Sequence, residues 1–394
     1  MYLSEKAKSI NPSSTLAIDA KFKAMKAEGI DVVGFGAGEP DFDTPEYIKQ
    51  AAIKAIMEGK TKYTPASGIV ELKKAICEKF KNENGLTFAP EQIVVSNGAK
   101  HSLINAFQAI LNPGDEVIIP APFWVSYPEM VRLADGCPKY IYTKEENGFK
   151  FTAEELKNAI TDKTRALVLN SPSNPTGMVY TESELNEIAD VCVERNIYVI
   201  SDEIYEHLIY EGKHVSIASF NEQIKDLTII INGVSKTYAM TGWRIGYTAS
   251  NAKIAKVMAN VQSHASSNPN TIAQWATVAA LSGGKEEIAT MKKAFSERRD
   301  YMVERINSID GVSCLKPNGA FYVLMNISKI KGRTISGVKI ETSDDFANAL
   351  LENAKVALVP CSGFGNDDFV RWSYATSMEN IKMGLDRLEA FLNN

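Results

Sequence analysis

Cysteine and histidine are scarce in this chain of 394 residues. The five cysteines (Cys77, Cys137, Cys192, Cys314 and Cys361) are scattered, odd in number and nowhere form a Cys-x-x-Cys pair. That excludes a disulfide frame or a zinc cluster and predicts reduced thiols in a cytoplasmic protein. His101, His207, His214 and His264 show no ligand spacing with another histidine, cysteine or acid, so no metal is assigned. No uninterrupted apolar stretch approaches the roughly 18–20 residues that a bilayer span needs. The opening Met-Tyr-Leu-Ser-Glu-Lys-Ala-Lys lacks the apolar core of a signal peptide. A basic excess is also missing: 43 Lys+Arg against 48 Asp+Glu leave a formal charge of −5, with no footprint for nucleic acid or an anionic membrane. What remains is ordinary globular makeup, 45% hydrophobic and 23% charged, on a chain long enough for two domains.

Compact, mostly β-branched runs punctuate the middle of the chain: Ile93–Val95, Val117–Ile119, Ala166–Leu169, Tyr198–Ile200 and Thr228–Ile231. Helix-like segments such as Lys100–Leu111 and Glu182–Glu194 lie between them; in the latter Glu184, Leu185, Ile188 and Cys192 fall largely at three- and four-residue spacing. Strands without polar alternation, separated by helices, predict an α/β fold with a mostly parallel central sheet covered on both faces. Asn112-Pro113-Gly114-Asp115 reads as a turn, and Ser282-Gly283-Gly284 as a break before a long connecting helix. Ala320–Met325 and Lys355–Pro360 suit a smaller α+β unit. The expected division is a large domain over 46–290 and a small domain built from 1–45 and 291–394.

Ligand groups in open α/β sheets gather at the carboxyl ends of strands. Ile93–Val95 runs into Ser96-Asn97-Gly98-Ala99-Lys100 and a helix, either an anion cradle of backbone N–H groups or a plain helix cap. Tyr198–Ile200 ends in Ser201-Asp202-Glu203-Ile204-Tyr205-Glu206. Asp202 and Tyr205, three apart, share one side of a helical turn, although a helix-capping aspartate fits the same pattern. Thr228–Ile231 leads to Ser235-Lys236 in a loop of small and aromatic residues, surroundings that lower a lysine's pKa and free its amine to attack an aldehyde. Eight residues on, Arg244 offers a fork for phosphate or carboxylate. A phosphate cradle, a buried acid, a reactive lysine and an arginine on successive strand ends together fit pyridoxal 5′-phosphate (PLP).

These residues carry a family. The chain resembles class I PLP-dependent aminotransferases of fold type I, in the prokaryotic aspartate aminotransferase subgroup. The matching stretches are Ala37–Phe42, Lys60–Thr64, Phe123–Pro128, Asn170–Gly177, Ser201–Tyr205, Ser235-Lys236 with Met240–Tyr247, and Val370–Tyr374, spread over nearly the whole chain. The resemblance implies that Lys236 forms the Schiff base and shuttles the proton between Cα and C4′. It implies that Asp202 pairs with the pyridine nitrogen, Tyr205 and Asn174 bond the phenolic oxygen, and Trp124 stacks on the ring; a core tryptophan is the alternative for Trp124. The phosphate would take the N–H groups of Ala99 and Lys100, the Arg244 guanidinium, and Tyr63 from a neighbouring subunit of a homodimer. Many relatives place a phosphate-binding serine three residues before the lysine, where this chain has Gly233; Ser235 is the expected substitute.

For substrate, the resemblance makes Arg371 the α-carboxylate clamp, helped by Asn174 and the N–H of Gly38. Lys100 is the expected partner of a distal carboxylate, or else a solvated lysine. Aspartate with 2-oxoglutarate is the first expectation, by ping-pong kinetics. An aromatic or broad-specificity aminotransferase, prephenate included, is one alternative, and a PLP-dependent cysteine-conjugate β-lyase is another. Relatives that accept prephenate carry a basic residue just before a Pro-Ser pair, where this chain has Asn11 before Pro12-Ser13. A regulatory module on the same fold would need a basic nucleic-acid-binding extension, and none is expected. Gly34-Phe35-Gly36-Ala37-Gly38 lacks the third glycine of a dinucleotide loop.

Overall fold

A computed structural model describes residues 2–12 and 14–393 of the chain. Fifteen strands are found among these residues. β1 (Val33–Gly34) precedes β2 (Ile93–Ser96), β3 (Glu116–Ala121), β4 (Cys137–Tyr142), β5 (Thr164–Asn170), β6 (Tyr198–Asp202), β7 (Thr228–Gly233) and β8 (Gly246–Ala249). Then come β9 (Ser313–Cys314), β10 (Tyr322–Asn326), β11 (Thr334–Ile335), β12 (Val338–Lys339), β13 (Val356–Ala357), β14 (Val359–Pro360) and β15 (Phe369–Ser373).

Seven strands form one sheet in the order β2-β8-β7-β6-β5-β3-β4. β8 runs antiparallel to both neighbours and every other pairing is parallel, so the sheet is mostly parallel as the apolar runs predict. Alternation along the strands sends side chains to opposite faces. Val117, Ile119, Ala166, Val168 and Ile200 pack with Leu103, Phe107, Met130 and Met258 on one side. Ile118, Leu167, Leu169 and Val199 pack with Leu185, Ile188 and Cys192 on the other. Both faces are therefore covered, and the strand ends are left as the place for polar groups.

The helices are fixed by local chemistry as well as by packing. Thr181 caps Glu182–Arg195 in a reciprocal box with Glu184, and Asn196 ends that helix in the left-handed region. The long helix after Ser282-Gly283-Gly284 spans Glu286–Asn307. A second sheet has the order β14-β15-β10-β9, and β1 pairs in parallel with β13. The Lys355–Pro360 run is thus split: Val356–Ala357 joins the amino-terminal strand, while Val359–Pro360 joins β15. β4 and β8 escape the sequence pattern. β4 is a half-exposed edge strand opening with Cys137-Pro138, and β8 is a short Gly-Tyr-Thr-Ala segment. No helix among the described residues is long and apolar enough to cross a membrane.

Candidate active site

The cradle forms where β2 meets the helix Ala99–Ile110. Gly98 stands at the N-cap with φ +86° and has no side chain to cap the first-turn N–H groups of Ala99 and Lys100. A Cβ at Gly98 would lie 2.3 Å from Arg244 Nη2, and one at Gly246 would lie 2.2 Å from Ala99 N. Two glycines thus let β8 and the Arg244 guanidinium close on the helix start. Arg244 Nη1 donates to Thr241 O at 2.8 Å and Nη2 to Asn97 O at 3.4 Å. Lys100 is exposed beside this point, its Nζ 4.9 Å from the centre of the Trp124 ring.

Asp202 ends β6 and is 4% exposed. Its Oδ2 accepts from Tyr127 Oη at 2.7 Å and its Oδ1 from Ile204 N at 3.3 Å. Burial pushes the carboxyl up to about 6 despite those bonds. Asp202 and Tyr205 do not share a helix: residues 204–207 form a turn directly after the strand. The chain needs this turn because Asp202 is still paired with Asn170 and Ile231 in the sheet. Tyr205 Oη lies 3.1 Å from Tyr322 Oη.

Lys236 is half-buried and donates to Gly38 O at 2.5 Å. Burial brings its amine down to about 8, with the Glu39 charge opposing and Arg244 and Arg371 adding to the fall. Thr241 Oγ1 donates to Glu39 Oε2 at 2.6 Å, so the 38–39 segment lies against the lysine loop at two points. Ser235 is buried next to the lysine. A Cβ at Gly233 would stand 2.9 Å from Ile245 O and 3.0 Å from Gly246 Cα, so the serine of many relatives has no room on this backbone.

Arg371 lies on β15 in the middle of the smaller sheet and is 1% exposed. Nη1 donates to Asn174 Oδ1 and Nη2 to Gly36 O, each at 3.0 Å, while Nε is buried without a partner. The guanidinium lies 4.4 Å from the Tyr322 ring centre. Asn170 fixes the Asn174 loop to the Asp202 strand: its Oδ1 accepts from Asn174 N at 2.7 Å and its Nδ2 donates to Asp202 O at 2.9 Å.

Tyr63 is placed differently. It stands 91% exposed, and its side chain makes no hydrogen bond among the described residues. Asn11 N and Nδ2 donate to Glu129 at 3.2 and 3.1 Å; Ser13 of the Pro12-Ser13 pair lies outside the described residues. Sequence reasoning assigned no role to Tyr127, Asn170 or Tyr322. The first two fall inside motifs that carry the family resemblance, whereas Tyr322 sits in an apolar strand and leaves no signal.

The histidines, unremarkable by spacing, come close to acids in space: Glu83 with Glu206 and His207, and Glu203 with Glu206 and His214. Cations and amides already occupy much of these groups. Lys79 Nζ pairs with Glu206 Oε1, Asn232 Nδ2 donates to the same oxygen at 2.7 Å, and Lys285 Nζ donates to Glu83 at 2.5 Å.

Known proteins of the same fold show the family. The family model "Aminotransferase class I and II" matches residues 30–388. An aspartate aminotransferase of Bacillus sp. (strain YM-2) is 52% identical over 391 residues, covering 99% of each chain. A probable aspartate/prephenate aminotransferase of Aquifex aeolicus is 47% identical over 99% of this chain and 98% of its own. The solved aspartate aminotransferase of Thermus thermophilus with maleate superposes with a TM-score of 0.94 at 45% identity, covering 99% of this chain and 100% of that one. With its fold matched and relatives of about half-identical sequence covering its full length, the chain belongs to the class I and II aminotransferases.

Proposed function

We propose that this aminotransferase moves the amino group of L-aspartate to 2-oxoglutarate with PLP as cofactor. The observation that carries the reading is Lys236 held against Gly38 O in the loop after β7, where burial, with Arg244 and Arg371, brings its amine down to about 8. The described residues fit PLP at three points. A helix start and an arginine meet at glycines where a Cβ has no place. A buried carboxyl has a single side-chain donor, Tyr127. A lysine lies within the fields of both, its amine brought down to about 8. When bound, PLP supplies an electron sink for the electrons of the broken Cα–H bond.

The chain's own residues supply the rest. Asp202, relieved of its burial cost by a cationic ring nitrogen, holds a proton there as an ion pair. The free Nε and the outer edge of the Arg371 guanidinium bind the α-carboxylate; Asn174 and Gly36 keep the fork from rotating. With the carboxylate fixed, Cα–H is oriented toward Lys236. Lys236 Nζ then takes the proton as a base near its own pKa and returns it at C4′. Release of the first 2-oxo acid before the second binds gives ping-pong kinetics. Lys100, exposed beside Trp124, is the partner for the distal carboxylate, and the Gly38 N–H adds a donor for the α-carboxylate. Tyr205 and Asn174 would bond the phenolic oxygen, Trp124 would stack on the ring, and Ser235 would join Ala99, Lys100 and Arg244 at the phosphate.

Tyr63, exposed in one chain, completes the phosphate site of a second copy, which makes the active form a homodimer. The division into 46–290 and the two terminal segments puts Lys236 and Asp202 in the larger domain and Arg371 in the smaller. The five free thiols support a cytoplasmic setting. Prephenate is the second reading, favoured by the aspartate/prephenate relatives. Against it, position 11 is a neutral Asn11 whose donors already serve Glu129.

Purified protein incubated with aspartate and 2-oxoglutarate is expected to yield oxaloacetate and glutamate. Ammonia and pyruvate from a cysteine conjugate, without transfer, would instead identify a lyase. A panel adding aromatic amino acids, alanine and prephenate ranks the remaining substrates.

A further inference from the structure

Tyr322 stands at the meeting point of three site groups. Its side chain is fully buried on β10. Its hydroxyl is 3.1 Å from that of Tyr205, and its ring lies 4.4 Å from the Arg371 guanidinium. The same hydroxyl is 3.4 Å from where a Gly38 Cβ would stand, next to the carbonyl that receives Lys236. The Tyr205 ring meets the Tyr322 ring edge-on, with centroids 5.9 Å apart at 81°, and meets Phe321 in the same manner. Neither tyrosine can swing away without unpacking the core.

Proton counting sets the direction of this contact. A phenol has one proton to donate and two lone pairs to accept with. On the reading that Tyr205 donates to the phenolic oxygen of PLP, its only proton is committed there. The 3.1 Å contact can then be a hydrogen bond only if Tyr322 is the donor. A cation over the Tyr322 ring favours the same direction, because it makes that phenol the better donor.

We propose that Tyr322 is a positioning residue whose hydroxyl donates to Tyr205, aims the Tyr205 proton at the cofactor's phenolic oxygen and strengthens that bond. The carboxylate clamp and the phenolic-oxygen donor are thereby joined through one side chain, Arg371 on its face and Tyr205 at its tip. This rests on the PLP reading above. A donor at the phenolic oxygen stabilises its negative charge most when the nitrogen of the Lys236 linkage is unprotonated, so it lowers the pH at which that nitrogen titrates. Weakening the donor raises that pH.

The test is a spectrophotometric pH titration of the Lys236-linked absorption band in holoprotein. The samples are wild type, Tyr322→Phe, Tyr205→Phe and the double variant. Tyr322→Phe keeps the ring against Arg371 and removes only the hydroxyl. A charged-acceptor bond lost at Tyr205 is expected to raise the midpoint by about 1–2 pH units, and the loss of cooperative support at Tyr322 by about 0.2–0.5. The double variant is expected to match Tyr205→Phe alone, with KM for aspartate changed less than about twofold in Tyr322→Phe. If Tyr322→Phe does not fold, 3-fluorotyrosine at position 322, a stronger donor of nearly the same shape, is expected to lower the midpoint. An unmoved midpoint, or a Tyr322 effect that adds in full to that of Tyr205, overturns the proposal while leaving the PLP reading intact. A wild type with no Lys236-dependent band overturns both.

Discussion

One turn of the chain, Asp202 to His207, serves two buried polar clusters of opposite character. Asp202 and Tyr205 belong to the active-site cluster, where charges lack full compensation. Asp202 is pushed up to about 6, Lys236 down to about 8, and Arg371 Nε has no partner. Glu203 and Glu206 belong to the other. Glu206 takes Lys79, Asn232 and Asn84; Glu203 takes Ser201, Ser216 and His214. There Glu206 and Glu83 are held charged. Burial opposes it, but Lys79 and the two histidines keep Glu206 well below the usual range. His207 and Lys285 bring Glu83 down to about 2 against the same opposition. The first cluster is incomplete without a ligand, and the second is nearly complete without one, His214 Nδ1 being its unpaired atom. Incomplete compensation marks the place where chemistry is done; completed compensation marks the frame that holds it.

Substitutions sharpen the contrast, because one cluster is expected to report in rate and the other in stability. Lys236→Ala removes both the covalent anchor and the proton carrier and is expected to lower kcat by about 10⁴-fold or more. Its apo-protein melting temperature is expected to hold, since a partly neutral amine is removed. Next comes Lys79→Met, which strands the Glu206 carboxylate and is expected to destabilise by about 3–5 kcal/mol, measured by urea unfolding. The folded fraction should keep a near-normal KM for aspartate; a large KM change with unaltered stability would break the division. Arg371→Lys keeps the charge but loses the fork, and kcat/KM for aspartate is expected to fall on the order of 10- to 100-fold.

The smallest effect is in pH. Asp202 binds its proton more tightly folded than unfolded, so its contribution to apo stability is present below about 4 and lost as pH rises through about 6. Glu83 has the opposite sign: its contribution is present above about 4.5 and lost as pH falls toward about 2. Apo Asp202→Asn, compared with wild type by urea unfolding from pH 2 to 7, is expected to lose the slope between about 4 and 6 and keep the one below about 4.5.

The sequence made the frame of the large sheet legible because buried parallel strands read as unbroken β-branched runs. β4 and β8 were not legible for the converse reason: one is an exposed edge, the other a short glycine-led return strand. Lys236, Asp202 and Arg244 could be picked out as residue types following strands, and the family motifs gave them roles; Arg371 came from the motifs alone, because it lies inside β15. Their geometry could not be picked out, and Asp202 and Tyr205 prove to be joined by a turn after a strand, not by a helix. The second cluster was hidden for a simple reason. Lys79, Glu83 and Glu206 look like the solvated face of amphipathic segments, and only the fold reveals that Lys79 is buried. Tyr322 was hidden in an apolar strand, since a hydroxyl that bonds across the core leaves no periodic mark.

The bond between Gly36 O and Arg371 spans 335 residues of chain. On a ribosome adding about 5–20 residues per second, the carbonyl waits roughly 15–70 s for its arginine. The strand that carries Asp202 and the loop that carries Lys236 are made well before then, and β1 has no partner until β13 emerges. On the proposed reading, the nascent protein therefore makes the half that would hold the cofactor first and gains Arg371, the proposed carboxylate clamp, among its last events. A chain truncated short of residue 371 would keep Lys236 but lack the arginine proposed to select what reaches it.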